Sequence, residues 1–288
     1  MKVTLWGTRG SLASPGPETA RYGGNTSCVE VRGKDNALLI LDAGTGLRRL
    51  GGTLAANPPA RVDLLLSHLH LDHIQGLGFF GPLYDAETEL HIWGPASTTL
   101  DLKARLTRYL SPPLFPVHLR DLPNPARMFF HDVPRGGANG EFSVGDFRIQ
   151  TALVCHPGPT VGYRVMSASA TLTYLPDHEP ALGVFRFPLP VEWTSGFSLA
   201  RGADLLIHDA QYTPDEYASH VGWGHSSWKQ AFDFAALAGV RHLVPFHHDP
   251  AHGDAYLDGM FAQAVACEKP AFPVTPGTEG AVFALGAA

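Results

Sequence analysis

Ser67-His68-Leu69-His70-Leu71-Asp72-His73 follows a short apolar run at residues 62–66 and leads into Gln75-Gly76-Leu77-Gly78. The run is too short for an ordinary helix and is bounded by polar and turn residues, so it reads as a buried strand. Three histidines and one aspartate then crowd the end of that strand. His68 and His70 are two apart, so in an extended segment they point the same way and can reach one metal. Asp72 and His73 follow as the chain turns and can aim at a second position. Imidazole and carboxylate are natural ligands of zinc and similar divalent ions. A pair of surface histidines would account for an isolated H-x-H, but not for the full H-x-H-x-D-H placed after an apolar strand.

His68-x-His70-x-Asp72-His73 resembles the signature of the metallo-β-lactamase fold superfamily. The resemblance implies an α/β fold, a four-layered αβ/βα sandwich, formed here by a single domain over residues 1–288. It also implies a further histidine, an aspartate that bridges two metals, and a last histidine, each at a strand end. The chain offers His156 in Val154-Cys155-His156-Pro157-Gly158, Asp177 in Thr173-Tyr174-Leu175-Pro176-Asp177, and His247 in Leu243-Val244-Pro245-Phe246-His247. All three follow apolar or β-prone runs and come in the expected order. His247 is taken over His248 because it directly follows the strand, with His248 as the alternative.

Composition bounds the reading without deciding it. The 288 residues are 44% hydrophobic and 17% charged, which is ordinary for a globular chain with ample core. The net charge of −6 argues against a broad electrostatic surface for nucleic acid. Cys28, Cys155 and Cys267 are widely spaced and odd in number, which suits a reducing cytosol and a cytoplasmic location. The first residues read as a strand, not a signal peptide, and no run approaches the length of a membrane span.

In chain order, residues 2–6 read as a strand, followed by a Gly7-Thr8-Arg9-Gly10-Ser11 turn expected to line one edge of a cleft. Residues 28–32 and 37–41 make a hairpin around Gly33-Lys34-Asp35-Asn36. Asp42-Ala43-Gly44-Thr45-Gly46 is a strand-to-helix turn, and Leu47, Leu50 and Leu54 recur at helical spacing after it. Asp42 is either a turn residue or a carboxylate that orients metal-binding histidines. Residues 90–93 read as a strand and 99–110 as a helix. Ser111-Pro112-Pro113-Leu114-Phe115-Pro116 stops that helix and reads as a connecting loop, with a lip over the cleft as the alternative. Five strands follow, at 128–131, 141–144, 147–153, 161–166 and 170–174, giving a half that is mostly antiparallel sheet. The tail alternates: a strand at 203–207, a helix at 226–238 ended by Gly239, a strand at 240–244, a helix at 254–267 and a strand at 280–285.

Within the superfamily, His208-Asp209-Ala210 and Gly224-His225-Ser226-Ser227 resemble ribonuclease Z and its phosphodiesterase relatives. There an acidic residue and an extra histidine form a proton-donating pair. Carried over, Asp209 holds His225 in its cationic form and His225 protonates the leaving oxygen. The plainer alternatives are a turn aspartate and a residue ahead of a helix capped by Ser226. One feature departs from ribonuclease Z, whose tRNA-clamping arm lies between the third metal histidine and the bridging aspartate. Here that interval is filled by the strands at 161–166 and 170–174 and a short turn. With the acidic net charge, this points to a small phosphodiester such as a cyclic nucleotide and away from extended nucleic acid.

The resemblance implies one ion on His68, His70 and His156, a second on Asp72, His73 and His247, Asp177 bridging, and a hydroxide between the ions as nucleophile. The formal charge of such a centre is roughly +1, which attracts an anionic phosphate. Asp72 helps orient the nucleophile. The ions are taken as Zn2+, with Mn2+ or Fe as alternatives. A ribonuclease processing RNA 3′ ends, a thioester or lactone hydrolase, and a metal-containing ligand-sensing or scaffold module are the other functions open, and a homodimer is compatible with the chain. His178, His220, Trp223 and His252 are candidates to line the pocket, with a merely structural place as the plainer reading of each.

Overall fold

The computed structural model describes residues 1–34, 37–123, 125–134, 140–181, 187–188 and 190–286. In chain order the strands are β1 (Lys2–Gly7), β2 (Cys28–Arg32), β3 (Leu38–Leu41), β4 (Arg61–Leu65), β5 (Glu89–Pro95), β6 (Met128–Val133), β7 (Glu141–Val144), β8 (Phe147–Leu153), β9 (Val161–Met166), β10 (Thr171–Leu175), β11 (Leu205–Asp209), β12 (Leu243–Phe246) and β13 (Val282–Ala284). They form two sheets, ordered β13-β1-β2-β3-β4-β5-β6 and β12-β11-β10-β9-β8-β7.

Each sheet is mixed. In the first, β1 pairs antiparallel with β13 and β2, and β2 with β3, whereas β3, β4, β5 and β6 run parallel. In the second, β7 to β10 are antiparallel and β10, β11 and β12 parallel. The sequence-based grouping of residues 128–131 with the antiparallel half is therefore corrected. That strand is the parallel edge of the first sheet, because helix α3 (below) supplies the crossover a parallel neighbour requires.

Apolar residues on the inner faces of both sheets, among them Leu39, Leu41, Tyr163, Tyr174, Val244 and Phe246, close into one buried layer. Helices α1 (Gly46–Leu54), α2 (Leu71–Ile74) and α3 (Leu102–Tyr109) lie on the first sheet, where Leu47, Leu50 and Leu106 meet Ile40, Leu64 and Ile92. Helices α4 (Phe197–Ala200), α5 (Pro214–Tyr217), α6 (Trp228–Ala238) and α7 (Asp254–Glu268) follow in the second half, where Phe234, Leu257 and Phe261 pack with Leu206 and Leu243. The result is the αβ/βα sandwich expected from the sequence.

Several boundaries moved for local reasons. Asp101 is extended and accepts the Ala104 amide, so the helix predicted from residue 99 starts at Leu102. Ser227, not Ser226, caps α6, in a reciprocal capping box with Gln230. The strand predicted at 240–244 runs Leu243–Phe246, because Gly239 ends α6 in a left-handed conformation and the chain needs further residues to reach the sheet. Phe115 is buried against Phe79 and Tyr109 while Leu114 is 70% exposed, so Ser111-Pro112-Pro113-Leu114-Phe115-Pro116 is a connecting loop packed on the surface. The hairpin residues Asp35 and Asn36 lie outside the described residues.

The parallel strands carry the site. Asp42 follows β3, His68 to His73 follow β4, Asp177 follows β10, Asp209 ends β11 and His247 follows β12. Parallel strands end on one side of their sheet, and that carboxyl edge is where open α/β sheets place their ligands. No described helix is long and apolar enough to cross a membrane.

Candidate metal centre

The strand-end residues converge on two overlapping clusters. One joins His68, His70, His156 and Asp177; the other joins Asp72, His73, Asp177 and His247, with one ligand atom of each member within 4.8 Å of the others. Asp177 belongs to both. All of these residues are buried except His70, which stands at the mouth. Every metal-ligating residue expected from the sequence is thus brought to one place.

Four of the five imidazoles, all but His70, have a hydrogen-bond partner on the far nitrogen. His73 Nδ1 donates to Asp42 Oδ2 at 2.8 Å, leaving Nε2 3.0 Å from Asp177 and 3.2 Å from Asp72. His247 Nδ1 donates to Gln211 Oε1 at 3.0 Å, with Nε2 3.2 Å from Asp72 Oδ2. His156 Nδ1 donates to the Gly224 carbonyl at 2.8 Å. His68 Nδ1 lies 3.0 Å from Ser67 Oγ, which itself donates to Asp42. Such outer partners fix tautomer and ring orientation around a metal. His248 does not join them. Its Nε2 donates to the Gly277 carbonyl at 2.7 Å and its ring packs between Tyr22 and Phe261, so His247 is the histidine at the centre.

Asp42 acts as an orienting carboxylate and not merely as a turn residue. It also accepts the Ser67 amide at 2.7 Å and the Tyr174 hydroxyl at 2.9 Å, tying the two sheets together beneath the centre. Asp42 and His247 are both held at a positive φ of 61°. That conformation costs about 1–3 kcal/mol for a non-glycine residue and collects at functional sites. Gly10 allows His247 its position, since a Cβ there would meet the imidazole Nδ1 at 2.2 Å. The neighbouring Ser11 amide donates to Asp72 Oδ2 at 2.8 Å, so the first turn does line the cleft.

Two residues central to the geometry carry no sequence motif. Gln211 orients His247. The fully buried Glu179 accepts the Tyr217 hydroxyl at 2.6 Å, the Gly222 amide at 3.0 Å and the Gly224 amide at 2.9 Å. It thereby fixes the loop that supplies both the carbonyl bonded to His156 and the His225 side chain. Gly224 sits at φ 86°, and a Cβ there would collide with Pro157 and His156. The one signal for Glu179 in the sequence is its place as an acid two residues beyond Asp177.

Asp209 and His225 form a pair beside the clusters. His225 Nδ1 donates to Asp209 Oδ2 at 2.7 Å, and Asp209 also receives the amides of His178, Gln211 and Ser226. The His225 ring stacks on His247 at 4.9 Å, edge-on to His156 at 5.0 Å. Burial lowers its pKa, but the charge and hydrogen bond of Asp209, with Asp177 and Asp72 behind, outweigh that and raise it to about 9. Burial likewise opposes the charge on Asp72, yet His73 and His247 hold it well below the usual carboxylate range.

The donor set fits divalent cations. Buried carboxylates need cationic partners, and the nitrogen and oxygen donors match those of zinc and other transition metals. Two buried atoms that face the clusters, His68 Nε2 and Asp177 Oδ1, have no hydrogen-bond partner, an unusual state for buried polar atoms that a metal would explain. The model of the beta-lactamase superfamily domain matches residues 38–248. The chain belongs to that superfamily. It is a metallo-β-lactamase fold hydrolase of the ribonuclease Z-like branch, without the tRNA-clamping arm: β9 and β10 are joined by a tight turn in which the Ser167 amide donates to the Ala170 carbonyl. It is 31% identical to the ribonuclease Z of a Mycobacterium species (strain KMS), over 87% of this chain and 85% of the relative. The fold is shared with the metallo-beta-lactamase fold protein YhfI from Bacillus subtilis, at TM-score 0.70, 21% identity and 98% coverage of both chains. It is shared too with Zn2+-bound PqqB from Methylobacterium extorquens, at TM-score 0.66 and 17% identity, over 99% of this chain and all of the other.

Proposed function

We propose that this superfamily hydrolase is a dinuclear metal-dependent phosphodiesterase acting on a small phosphodiester such as a cyclic nucleotide. The observation that carries the reading is the 2.7 Å bond between Asp209 and His225 Nδ1, set against the metal-binding clusters. A metal cage alone serves many hydrolyses; a fixed proton donor beside it answers the need of a poor alkoxide leaving group. The ribonuclease Z name of the relatives, which belongs to phosphodiester chemistry, supports the same class.

In this reading His68, His70, His156 and Asp177 hold one divalent ion, and Asp72, His73, His247 and Asp177 the other, with Zn2+ as the expected metal. Such a pair supplies a nucleophile at neutral pH and positive charge for the transition state. The chain's own residues do the rest. Asp72, fixed by the Ser11 amide, is placed to orient the nucleophile. Asp209 keeps His225 Nδ1 engaged, so Nε2–H of the protonated ring is the proton that reaches the leaving oxygen. After transfer, the Asp209 bond keeps the neutral ring oriented for reprotonation.

A second reading, a ribonuclease acting on RNA 3′ ends, is favoured by the ribonuclease Z relatives and shares every site residue. The net charge of −6 and the tight β9–β10 turn support the smaller substrate. The test is hydrolysis by the metal-loaded protein of bis-p-nitrophenyl phosphate, 2′,3′- and 3′,5′-cyclic nucleotides, a short RNA, a thioester and a lactone. Turnover of the first three is expected. RNA cleavage without cyclic-nucleotide turnover would select the second reading, and thioester or lactone turnover alone would overturn both.

A further inference from the structure

A cavity of ≈ 440 Å³ opens beside His225, its wall shared with Ser11 and Gln211, which bond Asp72 and His247 of the candidate centre. His225 forms part of its wall; its ring stacks on His247 and packs edge-on against His156 and, at 6.1 Å, Tyr212. A leaving group protonated by His225 therefore has this cavity beside it. The walls are unusual in composition. Tyr212 and His220 stack at 4.5 Å and 23°, and the edge of His220 meets Trp223 at 4.7 Å. Across the cavity His252 stacks on Tyr256 at 4.3 Å. Trp223 is 59% exposed and Tyr256 47% exposed, so both offer open ring surface. The other charged side chains are carboxylates, Glu216 and Asp249, and among the described residues no lysine or arginine lines the cavity.

The walls are held in place. Glu216 Oε1 accepts His252 Nε2 at 2.9 Å and the Tyr256 hydroxyl at 3.3 Å, and the Glu216 carbonyl accepts His220 Nδ1 at 2.7 Å. Asp249 is fixed by the Gln211 amide at 3.1 Å. A prearranged aromatic slot binds a flat ring without first having to order itself. Carboxylates repel further phosphates and accept hydrogen bonds from hydroxyl or amino groups.

We propose that this cavity is the leaving-group site and that its occupant is a single nucleoside, its base stacked on Trp223 and its sugar hydroxyls facing Asp249 and Ser11. The assignment rests on the phosphodiesterase reading and narrows it to substrates whose leaving oxygen belongs to a nucleoside. Two sources share that chemistry: a cyclic nucleotide and the terminal nucleoside of a short oligonucleotide. An acidic wall disfavours a leaving group that continues into more phosphodiesters.

The test is calorimetric titration of adenosine into the metal-loaded full chain, for the parent, Trp223→Ala, Trp223→Phe and Tyr256→Ala. Base stacking predicts about 5–150-fold weaker binding in Trp223→Ala, with most of the affinity kept in Trp223→Phe. With 3′,5′-cyclic AMP or a dinucleoside monophosphate as substrate, Trp223→Ala raises KM by a similar factor and changes kcat far less; the arm that turns over names the source. Adenosine bound equally by parent and Trp223→Ala, or unbound by the parent at millimolar concentration, overturns the assignment even if bis-p-nitrophenyl phosphate is hydrolysed. Failure of the parent to hydrolyse any phosphodiester overturns the functional reading itself and the leaving-group role with it.

Discussion

Oε2 of the buried Glu179 accepts the Gly224 amide at 2.9 Å, and the Gly224 carbonyl accepts Nδ1–H of His156 at 2.8 Å. A buried carboxylate thus sets the angle of a candidate metal-binding ring through a single residue, Gly224. Glu179→Ala leaves the Gly222 and Gly224 amides and the Tyr217 hydroxyl without their acceptor. It should destabilise the fold by on the order of 3 kcal/mol and lower affinity for metal at the His68–His70–His156 position. Denaturant titration and metal titration by competition with a chelator read the two effects. Unchanged metal affinity in a destabilised variant would make Glu179 a purely structural anchor.

The Asp209–His225 pair makes a sharper prediction. Both His225→Ala and Asp209→Asn should lower phosphodiester turnover by about 10²–10⁴-fold, with two metals per chain still bound as measured by elemental analysis. The losses should not add in the double variant, because the two residues act as one unit. A loss that tracks loss of metal would sink the proton-donor role.

Gln211 is the only hydrogen-bond partner of His247 Nδ1 among the described residues. Gln211→Ala should weaken metal affinity about 10–100-fold through ring disorder at that ligand. Chelator competition checks it. His248→Phe, which changes a side chain whose one hydrogen bond among the described residues is to the Gly277 carbonyl, should leave affinity close to the parent.

Several histidines are buried neutral. Burial lowers His208 to about 4 and His248 to about 3. Their folded pKa values lie below the unfolded value of about 6.5, so the unfolded chain binds more protons below that pH. Stability is therefore full above about pH 6.5 and falls as pH drops toward 4, by about 1.4 kcal/mol per unit for each such histidine. Denaturation midpoints between pH 7 and pH 5 should show this slope, and His208→Gln should reduce it. A flat profile would contradict the burial of these rings as neutral groups.

Asp42, Asp72 and Asp177 are buried together, so removal of bound metal should leave a less stable protein. A ligand at a hundredfold excess over its Kd contributes about 2.7 kcal/mol. Thermal unfolding with and without EDTA should differ accordingly, with Zn2+ restoring the higher midpoint. An identical midpoint would mean that the clusters bind no ion tightly.

Residues that act through local spacing were readable in the chain. The 68–73 motif announced a site because a strand places alternate side chains together, and the strand-end positions of His156, Asp177 and His247 followed once the fold was expected. The choice of His247 over His248 had only its place after the strand to rest on; in the structure it follows from a positive φ that turns one ring inward and the next toward Gly277. Helix and strand ends drifted where a cap decided them, as at Asp101 and Ser227. The sequence by itself marked the 68–73 cluster, because strand periodicity and ligand chemistry are local; the two-sheet plan and the rest of the candidate ligand set came through the resemblance to the superfamily, since periodicity alone gives only a mixed α and β chain. Only the tertiary structure decided the roles of Asp42, Glu179 and Gln211 and the aromatic cavity beside His225. Those depend on contacts between segments far apart in the chain, for which a lone acid, amide or tryptophan carries no local pattern.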